Sequence, residues 1–315
     1  MTAARGNWTT RIAALFSLAV SSALLIVLYR SLDVRLVAET LLRADPWWLG
    51  ISVGMIVPIT CLRALRFYWV APPGALPGRA EAFRLTLVAS ALNVFLPAKS
   101  GDLVKSYFVA TRSNTTAGVA LSMAVYERLC DLFGLIACCL VLWLIGQPQV
   151  DGIPRAFWFV LGSVGTACFL LIASERVASL VQTIAHAAVP HERLRTIRQL
   201  ADGWPALLRM LGGRRRWIVS YSLVLWLTHL TQIWLFTRAL SVPVPFTFAG
   251  LGARDVVLVV LLARYTTPEA AAAMGVLIST RGLLPPLMGL PIMRRYLSSA
   301  VEDARRWRQN AATAS

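Results

Sequence analysis

The sequence predicts an all-α polytopic membrane protein: about six transmembrane helices plus two re-entrant helical hairpins, arranged as an inverted repeat. Three observations predict it. Hydrophobic side chains make up 57% of the 315 residues and charged ones only 15%, against roughly half and about a quarter in an ordinary globular chain. The apolar residues gather into runs of the length a bilayer needs, about 20 residues rising 1.5 Å each. The charge is one-sided: 31 Lys and Arg against 15 Asp and Glu give +16. A mean hydropathy of +0.64 and 11 Trp agree, because amphipathic rings favour the membrane–water boundary. Disordered, collagen-like and disulfide-rich secreted chains are excluded. Cys61, Cys130, Cys138, Cys139 and Cys168 fall in apolar stretches and read as small hydrophobes. No Cys/His spacing matches a metal site, and neither a metal nor a cofactor is expected.

The expected spans are 12–29, 46–70, 116–145, 156–173, 217–240 and 268–293. The first has a basic start at Arg5 and Arg11 but no A-x-A site after it, so it is expected to be retained rather than cleaved. Two more apolar segments, 81–112 and 241–265, are broken by Pro and Gly. Their arms are too short to cross, and they read as hairpins that enter and return on one side, with the irregular backbone shielded by protein. Placing the N-terminus inside puts most basic residues in cytoplasmic segments, among them Arg63, Arg66, Arg79 and Arg84. Both termini are then cytoplasmic, the last as a basic tail at 294–315.

The loop 174–216 carries Val177, Leu180, Val181 and Ile184 on one helical face, and Ile197, Leu200, Trp204, Leu208 and Leu211 on another. Arginines fill much of the rest, so short amphipathic helices on the inner leaflet are expected. The basic charge is a membrane signature, and no nucleic-acid module is present.

The segment from Gly101 aligns without gaps on the segment following Ala253. Asp102 lies over Asp255 and Arg128 over Arg281, each Arg 26 residues after its Asp. Between corresponding helices lie three crossings, so the second unit (217–293) is inverted relative to the first (46–145). Discontinuous helices meeting at mid-membrane are the usual home of a transport site.

Ionised groups inside a span cost at least about 2.5–3.5 kcal/mol each on insertion scales, so Glu127, Arg128 and Asp131 must face protein or water. Two readings stand. In one, the charges form a self-neutralising knot that locks helices. In the other, Arg128 and Arg281 hold an anionic headgroup, because a planar guanidinium grips phosphate bidentately and stays charged. Lys99, Lys105 and Arg254 would extend the basic path, and Asp102 and Asp255 would orient the arginines or move protons. Asn93, Pro97, Gly101, Gly250 and Gly252 frame the hairpin turns, for backbone geometry or for function. Thr228, His229 and Gln232 form a polar stripe suited to interhelical hydrogen bonding or proton relay.

The stretch 92–134 resembles the signature of the lysylphosphatidylglycerol synthase transmembrane-region family, the flippase-like proteins. Asn93, Pro97, Lys99, Gly101 and Asp102 match its N-x-x-x-P-x-[RK]-x-G-[ED] pattern, and Glu127, Arg128 and Asp131 match E-R-x-x-D. Gly250, Gly252 and Asp255 resemble the second Gly-rich acidic motif. Lys99 and Asp102 stand where Arg and Glu are common in the family, keeping the charge with shorter reach. The resemblance implies a single flippase-like membrane domain over 1–315. It also implies movement of a lipid across the bacterial inner membrane: an anionic phospholipid, polyprenyl phosphate, glycolipid or hopanoid. With Ser315 following a basic tail, a stand-alone member without the soluble aminoacyl-transferase domain is expected, with no catalytic residue of its own. Two other classes remain: an accessory partner of a lipid-synthesis enzyme, and a glycosyltransferase using a polyprenyl donor. The latter lacks a D-x-D pair and a large catalytic loop. The sequence leaves the oligomeric state open.

Overall fold

The computed structural model describes residues 34–95, 101–113, 115–146, 155–188, 195–241 and 266–313. Among these, every regular element is an α-helix. In chain order they are α1 (Val34–Leu42), α2 (Pro46–Gly54), α3 (Ile56–Val70), α4 (Arg79–Phe95), α5 (Gly101–Ser113), α6 (Ala117–Gly146), α7 (Arg155–Ala173), α8 (Glu175–Ala188), α9 (Arg195–Leu211), α10 (Arg214–Ala239), α11 (Pro268–Arg281) and α12 (Leu284–Thr313). Four stretches are long and apolar enough to cross a membrane: Pro46–Val70, Ala117–Ile145, Ala156–Ala173 and Arg214–Ala239. They coincide with four expected spans. The span at 12–29 and residues 242–265 of the second hairpin lie outside the described residues.

The span expected at 268–293 is not one helix. α11 ends at Arg281, Gly282 and Leu283 form a turn, and α12 restarts at Leu284. Pro285 and Pro286 have no N–H to offer the carbonyls four residues back, so running a helix through both would forfeit two consecutive bonds; in the first turn of a new helix that loss costs nothing. α12 then continues to Thr313 and absorbs most of the expected basic tail.

The chain divides into two compact units, one of Met1–Met55 with Leu230–Gly282 and one of Ile56–His229 with Leu283–Ser315. In the larger, α4 packs along α12 and also against α3 and α5, while α6 packs against α5, α7 and α9. Its core includes Phe67, Leu85, Met123, Tyr126, Leu207, Leu208 and Ile218. The two arms of the first expected hairpin, α4 and α5, lie against each other. Tyr296 of α12 donates to Glu81 Oε1 of α4 at 2.8 Å. α7 turns Phe157, Phe159, Val160 and Val164 outward, as a lipid-facing helix must.

The loop 174–216 departs from expectation in its second half. α8 does expose Leu180, Val181 and Ile184, the face that suits a leaflet. α9 instead buries Trp204, Leu207, Leu208 and Leu211 in the protein core. Its backbone comes so close to α6 that a Cβ on Gly203 or Gly118 would collide with the opposite main chain; only glycine fits there. Trp204 Nε1 donates to the Leu171 carbonyl at 3.2 Å, and Ser122 Oγ to that of Leu200 at 3.3 Å. Burying side chains of this size contributes on the order of 1.5–3 kcal/mol each relative to leaving them in water, and the glycine contact lets α9 bury them in protein.

In the smaller unit, Asp45 caps α2 by accepting from the Trp47 and Trp48 N–H groups. Its own N–H donates to the Ala239 carbonyl at 2.8 Å. Val37, Ile233, Phe236 and the alanines 270–273 form that unit's core.

Candidate functional site

Three helices of the larger unit carry charges at helical spacing on facing sides. α3 bears Arg63 and Arg66, α5 bears Asp102 and Lys105, and α6 bears Glu127, Arg128 and Asp131. Spacings of three and four residues put each set on one helix face. α5 is fixed at its start: the Gly101 N–H donates to Asn93 Oδ1 of α4 at 2.8 Å. A Cβ on Gly101 would strike the Ala89 carbonyl and that same Asn93 oxygen, so the residue must be glycine. Asn93 and Gly101 thereby place Asp102 and Lys105.

Six of these charges close a ring of alternating sign. Arg66 Nη1 reaches Asp131 Oδ1 at 2.7 Å, and Asp131 reaches Arg128 at 4.0 Å. Arg128 pairs with Asp102, which meets Lys105 Nζ at 3.4 Å. Lys105 reaches Glu127 Oε2 at 2.5 Å, and Glu127 returns to Arg66 Nε at 3.9 Å. Lys105 also sits 4.6 Å from the Phe67 ring centroid, and Arg66 donates to Ser222 Oγ of α10 at 3.2 Å. Ser222 Oγ in turn donates to the Ile218 carbonyl at 2.8 Å. Opposite unit charges 4 Å apart attract by about 4 kcal/mol at an effective dielectric of 20, enough to offset the insertion cost of the ions.

The ring is not evenly enclosed. The Arg66 side chain is 3% exposed, and those of Lys105 and Glu127 are 7% exposed. Asp131 and Asp102 are intermediate at 18% and 19%, and Arg128 stands at 41%. One end is locked inside the protein, and Arg128 forms the rim. Each carboxylate is engaged by cations, and among the described residues no group of His, Cys, Asp and Glu is placed to hold a metal.

Sequence reasoning missed Arg66. Positive-inside logic put it with the cytoplasmic charges, whereas it is the most buried ion of the ring. A signal existed: four more apolar residues, Phe67 to Val70, follow it before α3 ends, so it sits a full turn inside the apolar run. Of the other expected site residues, Arg281 lies in the smaller unit, where it donates to Gln232 Oε1 at 2.8 Å. Gln232 donates onward to the Ser52 carbonyl at 2.8 Å, the interhelical bond foreseen for the polar stripe. Thr228 and His229 contact carbonyls of their own helix, Val224 at 2.8 Å and Leu225 at 2.9 Å. Pro97, Lys99, Gly250, Gly252, Arg254 and Asp255 lie outside the described residues. Cys61 is exposed, while the other four cysteines are buried.

A match to the family described as the lysylphosphatidylglycerol synthase TM region covers residues 14–251. The chain belongs to this family. The matched region contains the whole charge ring, while Asp255, α11 and α12 lie beyond it. No curated protein and no solved structure matches the chain. Family membership relates this membrane protein to lipid metabolism and flippase-type function, and Asp102, Glu127, Arg128 and Asp131, four of the residues that carry the sequence resemblance, all lie in the ring.

Proposed function

We propose that the protein moves an anionic or amphiphilic lipid across the bacterial inner membrane, without chemistry of its own. The finer architecture belongs to this reading: six spans, the last broken at Gly282, and two re-entrant hairpins in an inverted repeat, with both termini cytoplasmic. One observation carries it. Arg128 is the exposed cation of a ring whose other cations are enclosed, so it alone can trade a carboxylate for a ligand without unmaking the core. A lipid phosphate would replace Asp102 on Arg128, and the acyl chains would stay in the bilayer. Asp102, released, would orient the guanidinium or carry a proton.

The test is reconstitution in liposomes, following transbilayer accessibility of labelled anionic phospholipid and polyprenyl phosphate. Wild type should move at least one of them, and Arg128→Gln and Asp102→Asn should lose that movement while remaining folded. Full movement by a folded Arg128→Gln protein would remove the ring's rim from the mechanism. A second reading has its own support: the six ring charges neutralise one another in pairs across three helices, as a lock would. An accessory partner of a lipid-synthesis enzyme would move no lipid alone and would co-purify with that enzyme.

A further inference from the structure

The ring is neutral, with three cations against three carboxylates, yet a fourth cation stands beside it. Arg63 is on α3, one turn before Arg66 and on the same face. It is close enough to act electrostatically on Lys105, Arg128 and Asp131. Its side chain is half-buried, and among the described residues it has no ion pair or hydrogen bond. All three carboxylates of the cluster are already shared between ring cations. Among the described residues the cluster therefore carries one uncompensated positive charge, located beside the rim residue Arg128. An uncompensated charge at a membrane-embedded site is costly unless something of opposite sign visits it.

We propose that Arg63 is the headgroup-selecting charge: with Arg128 it takes a phosphodiester carrying one net negative charge in preference to a zwitterionic or cationic headgroup. This rests on the lipid-moving reading of the same ring and names the class of lipid. Two guanidinium forks match the unesterified oxygens of a phosphodiester. A headgroup with its own ammonium would bring a positive charge to a site already positive in net terms, so like-charge repulsion discriminates against it. Arg63 differs from Arg66 in that its removal orphans no carboxylate.

Equilibrium binding to the purified full chain in detergent tests this, with dioctanoyl phosphatidylglycerol, dioctanoyl phosphatidylcholine and inorganic phosphate as probes. Wild type should bind the glycerol lipid about tenfold more tightly than the choline lipid, the scale of one charge-assisted contact. Arg63→Gln should bring the two to parity by weakening only the anionic lipid, and Arg63→Lys should keep the preference. Equal affinity of wild type for the two lipids overturns the proposal whether or not any variant folds. Loss of both lipids together in folded Arg63→Gln overturns it too, because that is the mark of a structural residue. Inorganic phosphate binding as tightly as the anionic lipid would overturn a lipid ligand in favour of a free anion. Proteoliposome transport separates the two claims. Selective binding without movement sinks the transport reading alone; movement with no anionic preference sinks the role of Arg63 alone.

Discussion

Arg66 and Arg128 belong to the same charge ring and both touch Asp131, yet their surroundings differ sharply. Arg66 is enclosed by α3, α6 and α10, holding Asp131 on one side and Ser222 on the other. Arg128, at the rim, pairs with Asp102 and Asp131 while much of its side chain stays accessible. An enclosed pair cannot be opened without leaving a carboxylate unpaired in a medium that cannot solvate it. A rim pair can open, because water or a ligand replaces the lost partner. The contrast divides the ring into a part that holds helices together and a part free to exchange.

The largest expected effect comes from breaking the enclosed end. Arg66→Gln leaves Asp131 and Glu127 short of a cation and should destabilise by about 3–5 kcal/mol, read as a large loss of monodisperse protein and a fall in thermal midpoint in detergent. If Arg66→Gln unfolds at the wild-type midpoint, the ring has no locked end. Next is the contact that seats α9 on α6: Gly203→Leu forces a side chain into the opposing backbone and should cost about 1–3 kcal/mol. Amide exchange across α9, faster than in wild type, would report the loosened helix. Arg128→Gln should cost less stability than either, because solvent screens the half-exposed pair. A midpoint drop matching that of Arg66→Gln would erase the distinction between rim and interior.

The smallest effect concerns the surface between α8 and α9. Asp202 accepts from Gln182 Nε2 at 2.9 Å and contacts His186 Nε2 at 2.7 Å. Those hydrogen bonds, the Gln182 bond first, hold its carboxyl below the ordinary aspartate range. A carboxylate lowered in the folded state stabilises above its unfolded pKa, and the contribution disappears as pH falls through the folded value. α8–α9 pairing should therefore weaken slightly below about pH 4, and Asp202→Asn should flatten that dependence in amide exchange of α8. An unchanged profile would assign the pairing to apolar contacts alone.

Much of this was legible in the sequence. Four apolar spans and the helices α4 and α5 follow from run length and Pro/Gly punctuation. Glu127, Arg128 and Asp131 stood out because ions inside apolar runs need partners, and Asp102 and Lys105 because they sit at the broken turn of the first expected hairpin. Arg66 did not, because a basic residue near the end of a span already has an explanation in topology. The fate of α9 was hidden for a related reason: the same period of apolar residues serves a leaflet and a protein core, and only Gly118 facing Gly203 marks the difference. The break at Gly282 was readable from Pro285-Pro286, two consecutive missing donors that favour a new helix start over continuation. Long-range pairing such as Arg66 with Ser222, 156 residues apart, leaves no local pattern at all.

The central claim is that Arg128 exchanges Asp102 for a lipid phosphate. It is tested most directly by the affinity of dioctanoyl phosphatidylglycerol for Asp102→Asn beside Arg128→Gln. Removing the competing carboxylate should tighten lipid binding, and removing the guanidinium should weaken it, so the two variants move in opposite directions from wild type. If Asp102→Asn also weakens binding in a folded protein, the two residues act as one structural pair and no exchange takes place at the rim.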